Sequence, residues 1–138
     1  MRSGGALLAA ALVALSQLSC ETSCDTGDDE PVRFAGGEVI DNFYQTSDFD
    51  GPLVYFPPDR RLDIVHGLGT RDLDVAVYVS FEERGSGAGR VQAAPAAGNQ
   101  AVIEHVDEER VRVHNDTCAE FYLRLTARAE SVADAAAE

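Results

Sequence analysis

The sequence predicts an all-β protein: a single antiparallel β-sandwich of about seven strands, set behind a signal peptide and an acidic linker. Three observations predict it. Short segments alternate apolar and polar residues with a period of two, as strands with one buried face do. Glycine, proline and aspartate interrupt those segments at short spacing. No segment between them carries the i, i+3, i+4 apolar stripe of a core-facing helix.

Residues 32–34 and 38–40 are the first strand candidates, separated by a turn at Gly36-Gly37. Residues 53–56 form a short apolar strand that Pro57-Pro58 stops, since proline cannot donate to a ladder. In residues 61–66, Leu62, Ile64 and His66 share a face, and Gly67-Leu68-Gly69 breaks the run. Residues 74–81 show the clearest alternation: Val75, Val77, Val79 and Phe81 point one way, Ala76, Tyr78 and Ser80 the other. Residues 84–99, rich in glycine, alanine and serine, read as a long loop. Residues 101–106 and 110–114 flank Asp107-Glu108-Glu109, which predicts a hairpin with an acidic turn. In 120–127 the residues Phe121, Leu123 and Leu125 face inward. The alanine-rich acidic tail lacks a leucine stripe and predicts a frayed helix or disorder.

The chain has 138 residues, a size that fits one domain. Its net charge of −13 argues against a nucleic-acid partner, because phosphate contact needs basic patches. All eleven basic residues are arginine, which excludes a catalytic lysine.

The first residues read as an address. Arg2 supplies a positive charge, residues 6–15 are an unbroken apolar run, and small or polar residues follow at Ser16, Gln17 and Ser19. That is the layout of an export signal. The run is too short for a bilayer, which takes about 20 apolar residues. Leu18-Ser19-Cys20 resembles the end of the bacterial lipoprotein lipobox, with Gln17 where that family usually carries leucine. The resemblance implies acylation of Cys20 and a lipid bilayer as partner. Each buried methylene contributes roughly 0.8 kcal/mol, so several chains hold a protein permanently. Glu21 after the cysteine, in place of aspartate, implies the outer membrane. The alternative is an ordinary signal-peptidase cut near Ser19 and a soluble periplasmic or secreted protein.

Export places the chain where disulfides persist. With Cys20 lipidated, as the resemblance implies, Cys24 and Cys118 are left as a pair. Their bridge would close a loop of about 95 residues, which loop-entropy models value at about 4–5 kcal/mol. The rival arrangement is Cys20–Cys24 or a free thiol.

Residues 63–69 with the alternating strand after them are similar to a segment of phage-tail and H-type-lectin-like β-sandwiches, which carry an H-x-L-G turn between two strands. Here the turn is His66-Gly67-Leu68-Gly69. The resemblance implies a sandwich and favours glycan binding, and it transfers no binding residue.

Candidate chemistry is sparse. His66, His105 and His114 lack the short paired spacing of zinc ligands, and no metal or cofactor is expected. His66 reads either as an inward histidine or as a ligand contact. His105 and His114 become cross-strand neighbours only if the hairpin carries a bulge or a shifted turn. Asp48 with Asp50, Asp72 with Asp74, and the acids of residues 25–30 are calcium candidates by type, but acid pairs on loops are more often solvated or form Asx-turns, which is the favoured reading. No G-x-S-x-G, P-loop or H-E-x-x-H motif occurs, so no catalytic residue is assigned. Phe43, Tyr44, Tyr55 and Phe56 lie on loop-rich segments, either filling the end of the core or meeting a ligand. Asn115 to Thr117 predicts a structural turn before the last strand.

The resulting expectation is a signal peptide (1–19), a lipidated acidic linker (20–30), a sandwich (31–127) and an acidic alanine-rich tail (128–138). Its function would be non-catalytic binding at the cell envelope, of a glycan or an envelope protein, through Tyr44, Tyr55 and His66. The alternative is a small exported metal-dependent or carbohydrate-active module.

Overall fold

A computed structural model describes Cys24 and residues 30–85 and 93–130. The expected signal peptide, Cys20, most of the linker and residues 131–138 of the tail lie outside the described residues.

Ten strands form two packed sheets, and no α-helix occurs among the described residues. In chain order they are β1 (Val32–Phe34), β2 (Glu38–Ile40), β3 (Phe43–Gln45), β4 (Val54–Phe56) and β5 (Arg61–Val65). There follow β6 (Leu73–Ser80), β7 (Ala94–Pro95), β8 (Val102–Val106), β9 (Arg110–His114) and β10 (Phe121–Ala129). One sheet has the order β1-β5-β9-β8; the other runs β2-β3-β10-β6-β7, with β4 also on β10.

The alternation read from the sequence fixes the core. Leu62, Ile64, Val111 and Val113 face inward from the first sheet. Tyr44, Phe56, Val79, Phe121, Leu123, Leu125 and Ala127 face them from the second. The crossover between sheets falls at Gly36-Gly37. Gly37 has φ +91°, and a Cβ there would lie 2.5 Å from the Gln45 carbonyl oxygen, so only glycine fits.

Several expectations are corrected. Strands β3 and β7 lie in segments read as loops, because three and two residues are too few to show alternation. Pro95 is tolerated because β7 sits at the sheet edge. The β1–β5 pair is parallel, an exception to the antiparallel expectation, because β1 enters from the N-terminal side and leaves at once for the other sheet. Phe81 lies past the end of β6 and is 72% exposed, with its ring 5.1 Å from Phe121. Strand β10 continues to Ala129, beyond the expected boundary at 127, because Arg128 and Ala129 still pair with Asp74 and Leu73.

Strands β3 and β4 lie end to end along the same edge of β10. The chain between them leaves the sheet as an excursion and returns. Thr46 marks the departure: its Oγ1 accepts from Leu125 N at 3.0 Å, and its N–H donates to the Leu125 carbonyl at 3.0 Å.

Candidate functional site

Three places on this frame collect polar or exposed side chains. The first is an open cleft of about 600 Å³ beside the excursion, lined by Phe34, Thr46, Ser47, Leu53 and Tyr55 among others. Tyr55 points away from the core because it alternates with Val54 and Phe56, and it is 47% exposed. Its hydroxyl donates to Glu120 Oε1 at 2.6 Å and its ring lies 5.5 Å from Tyr122. The Glu120 hydrogen bond is the main cause that holds the Tyr55 hydroxyl above its ordinary pKa.

Tyr44 and His66, the other two expected contacts, are not at that surface. Tyr44 is buried, and its hydroxyl donates to the Gly36 carbonyl at 2.9 Å. Burial pushes the Tyr44 hydroxyl pKa up. His66 is also buried: its Nδ1 accepts from Leu68 N–H at 3.1 Å, and Nε2 faces the Asp107 carbonyl at 3.1 Å. An acceptor at Nδ1 makes Nε2 the protonated nitrogen. The ring therefore shapes the turn after β5 and ties it to the β8–β9 hairpin. Of the three residues expected to contact a ligand, Tyr55 alone is placed to do so.

The second place is the underside of the excursion. Arg124 points outward from β10, yet it is 5% exposed because residues 47–53 fold over it. Its Nη2 donates to the carbonyls of Asp48 at 2.7 Å and Phe49 at 2.8 Å, and the guanidinium lies 5.0 Å from the Phe49 ring centroid. Desolvation lowers its pKa, opposed by Asp50 and Asp48. The loop carbonyls that a calcium ion would need already face the protein's own cation. Phe49 itself is 73% exposed.

The third place is the outer face of the first sheet, where charged residues alternate with the buried valines of β9. Asp63 accepts from Arg112 Nε at 2.6 Å, Arg112 Nη2 at 2.9 Å and Arg110 Nη1 at 3.0 Å. The Arg112 bond, with the charges of Arg112 and Arg110, holds the Asp63 carboxyl below its ordinary pKa against desolvation. Asp107 closes the hairpin turn, accepting from Glu109 N and Arg110 N at 2.8 Å each. Those two backbone bonds are the main cause that holds its pKa at about 2.

The hairpin carries a bulge between Ile103 and His105. It sets His105 opposite Arg112 and Val102 opposite His114, so the two histidines are not cross-strand neighbours. His105 Nε2 lies 3.0 Å from Asp107 Oδ2. The bulge also turns Glu104 toward His114. His114 Nδ1 is 3.3 Å from Glu104 Oε1, and its Nε2 is 3.2 Å from Asp59 Oδ1. A carboxylate oxygen of Asp116 lies within 4.8 Å of ligand atoms of both Asp59 and His114. Sequence reasoning missed this cluster, because Asp59, Glu104 and the His114–Asp116 stretch come from three segments joined only by strand register and one bulge.

The Cys24–Cys118 bridge is formed, with a Cα–Cα distance of 5.2 Å, which places Cys24 beside the turn that carries Asp116. No helix among the described residues is long and apolar enough to cross a membrane. No protein-family profile, curated protein or solved structure matches the chain.

Proposed function

We propose that this chain is an exported, lipid-anchored cell-envelope protein whose β-sandwich binds a partner and does not catalyse. The observation that carries the reading is the Cys24–Cys118 bridge. Disulfides persist in oxidising compartments and are rare in the cytosol. The bridge leaves Cys20 as the odd cysteine, the residue that follows the lipobox-like Leu18-Ser19. A tether at Cys20 would then lead, within four residues, to a covalent attachment on the domain. Acylation there would hold the chain at the membrane without any apolar helix. The outer membrane is the destination this reading favours.

The binding surface in this reading is the cleft beside Tyr55. Exposed aromatic rings next to polar loops give large contact area at low entropic cost. A glycan or an envelope protein is the partner class. The His66 turn, which resembles that of phage-tail and H-type-lectin-like sandwiches, would then serve as scaffold.

The test is an intact mass of the protein extracted from its native membrane without reduction. The expected mass is that of residues 20–138 plus acyl chains, less two hydrogens for the bridge. A bare mass beginning at or after Cys20 would replace the anchored reading with a soluble exported one. Photo-crosslinking from position 55 in intact cells then tests the cleft, with position 72 as control. Adducts of equal yield at both positions would remove the cleft from the proposal.

A further inference from the structure

We propose that Asp59, His114 and Asp116 bind a single divalent cation of the zinc class. One ligand atom from each residue lies within 4.8 Å of the other two. The donor set is one imidazole nitrogen and two carboxylate oxygens, which leaves a fourth tetrahedral position for water. Two carboxylates balance a divalent charge. The imidazole directs the choice away from calcium and magnesium, which take oxygen ligands.

The surroundings of His114 argue for a ligand role. His114 is 8% exposed, and Glu104 Oε1 stands 3.3 Å from Nδ1. Glu104 is itself held by Arg61 Nε, at 2.9 and 3.2 Å. Its Nε2 is hydrogen-bonded to Asp59 Oδ1 at 3.2 Å, and in the tautomer that carries its proton on Nδ1, facing Glu104, the Nε2 lone pair would be free to coordinate a cation beside Asp59. A cation bound at Nε2 would displace the proton shared with Asp59. A proton would satisfy one carboxylate. The presence of Asp116 in the same reach provides the second donor that a metal uses. A metal-ligating histidine whose other nitrogen bonds a carboxylate is the usual supporting arrangement, and it fixes the tautomer.

The backbone holds the ligands in place without the ion. Asp59 N–H donates to the Thr117 carbonyl, Asn115 N–H to the Arg60 carbonyl and Asp116 N–H to the Asn99 carbonyl, each at 3.0 Å. Binding would therefore need little ordering of the chain. The site lies beside the Cys118 end of the disulfide, apart from the Tyr55 cleft, so this inference stands or falls separately from the binding reading.

The experiment is titration of the detergent-solubilised full chain, free of added histidines and stripped with chelator, with zinc ion by calorimetry. A Cys20→Ser form run in parallel removes the one cysteine outside the bridge. The expected result is saturation at one ion per chain in both forms, unaffected by excess calcium. Asp116→Asn, an exposed side chain whose loss leaves the core intact, should weaken binding at least about tenfold. Glu104→Gln should weaken it about 10–100-fold, as loss of a supporting carboxylate does. Cobalt ion in place of zinc should give the visible absorption of a low-symmetry site in the native chain and lose it in Asp116→Asn. Absence of saturable binding in the native chain would overturn the proposal. So would zinc affinity unchanged by both Asp116→Asn and Glu104→Gln in variants that keep the native melting temperature.

Discussion

Arg112 grips Asp63 through two parallel bonds, Nε to Oδ1 at 2.6 Å and Nη2 to Oδ2 at 2.9 Å. The two residues sit directly opposite each other on β9 and β5. The Asp63 side chain is 10% exposed although it lies on the outer face of its sheet, because Arg112 and Arg110 span it. Charge-assisted bonds in such a bidentate pair are the strong ones. Asp63→Asn keeps the shape and removes the charge, so it should cost about 2 kcal/mol. Urea denaturation reads this as a lower midpoint at unchanged slope. Replacing both partners with apolar residues should recover part of the loss, since each residue left alone strands a charge.

The same carboxylate, with Asp107, sets the acid limb of stability. Both have pKa values held below the ordinary 3.8, Asp107 at about 2. A depressed carboxylate contributes stability that is fully present above its unfolded value and is lost as pH falls through the folded value. Stability should therefore be flat with respect to these two groups at neutral pH and decline from about pH 4 toward pH 2. Asp63→Asn should flatten that decline, because one fewer proton is taken up on unfolding in acid. A pH series of melting temperatures checks the slope; equal slopes in the two proteins would exclude Asp63 as a source.

What was legible in the sequence was what alternation reports. Val75, Val77 and Val79, and the run of Phe121, Leu123 and Leu125, declared their faces because each strand is eight residues or longer. Strand β3 was not legible: three residues between a left-handed Asp41 and the excursion give alternation nothing to repeat over. Tyr44 consequently read as an aromatic on a loop-rich segment, with core filling and ligand contact both open, and it fills the core. Asp63 and Arg124 are buried polar residues whose partners lie 49 and 76 residues away, a separation that no local pattern encodes. The pairing of Cys24 with Cys118 was reached through the expected lipidation of Cys20, and the bridge itself is present.

Arg124 is the peg that holds the excursion between β3 and β4. It supplies two bonds to adjacent carbonyls and a stacking surface for Phe49. Arg124→Met should release residues 47–53 while leaving β10 in register, at a cost of about 1–3 kcal/mol. Arg124→Lys should not restore the loop, because an ammonium cannot present the planar fork or stack on the ring. Hydrogen exchange at residues 47–53 and chymotryptic cleavage after Phe49 both measure the release. Unchanged exchange in Arg124→Met would mean that the loop is held by its own turn.

The disulfide closes a sequence separation of 94 residues. Its removal by Cys24→Ser should cost about 2–5 kcal/mol, chiefly by freeing the unfolded chain. Reduced native protein and the Cys24→Ser variant should then unfold at the same denaturant midpoint. A variant less stable than the reduced protein would point to packing at Cys24 in addition to the cross-link.

Asn115 is fully buried at the end of β9, and its side-chain amide stitches the strand ends of both sheets together. Its Nδ2 donates to the carbonyls of Pro57 at 2.9 Å, Ala119 at 2.8 Å and Phe56 at 3.3 Å, and its Oδ1 accepts from Thr117 Oγ1 at 2.6 Å. Those bonds fix the turn from which His114 and Asp116 project on either side. Asn115→Ala leaves buried carbonyls without donors and should cost about 2–3 kcal/mol. Asn115→Asp is nearly isosteric but sets a carboxylate against those same carbonyls, so it should be worse, about 3–5 kcal/mol at neutral pH. Lowering the pH to 4 should narrow the gap between the two variants, because a protonated carboxyl regains one donor. Denaturant midpoints of both variants at the two pH values test this order. An Asn115→Asp protein as stable as the native chain would show that the amide nitrogen is not what joins the two sheets here.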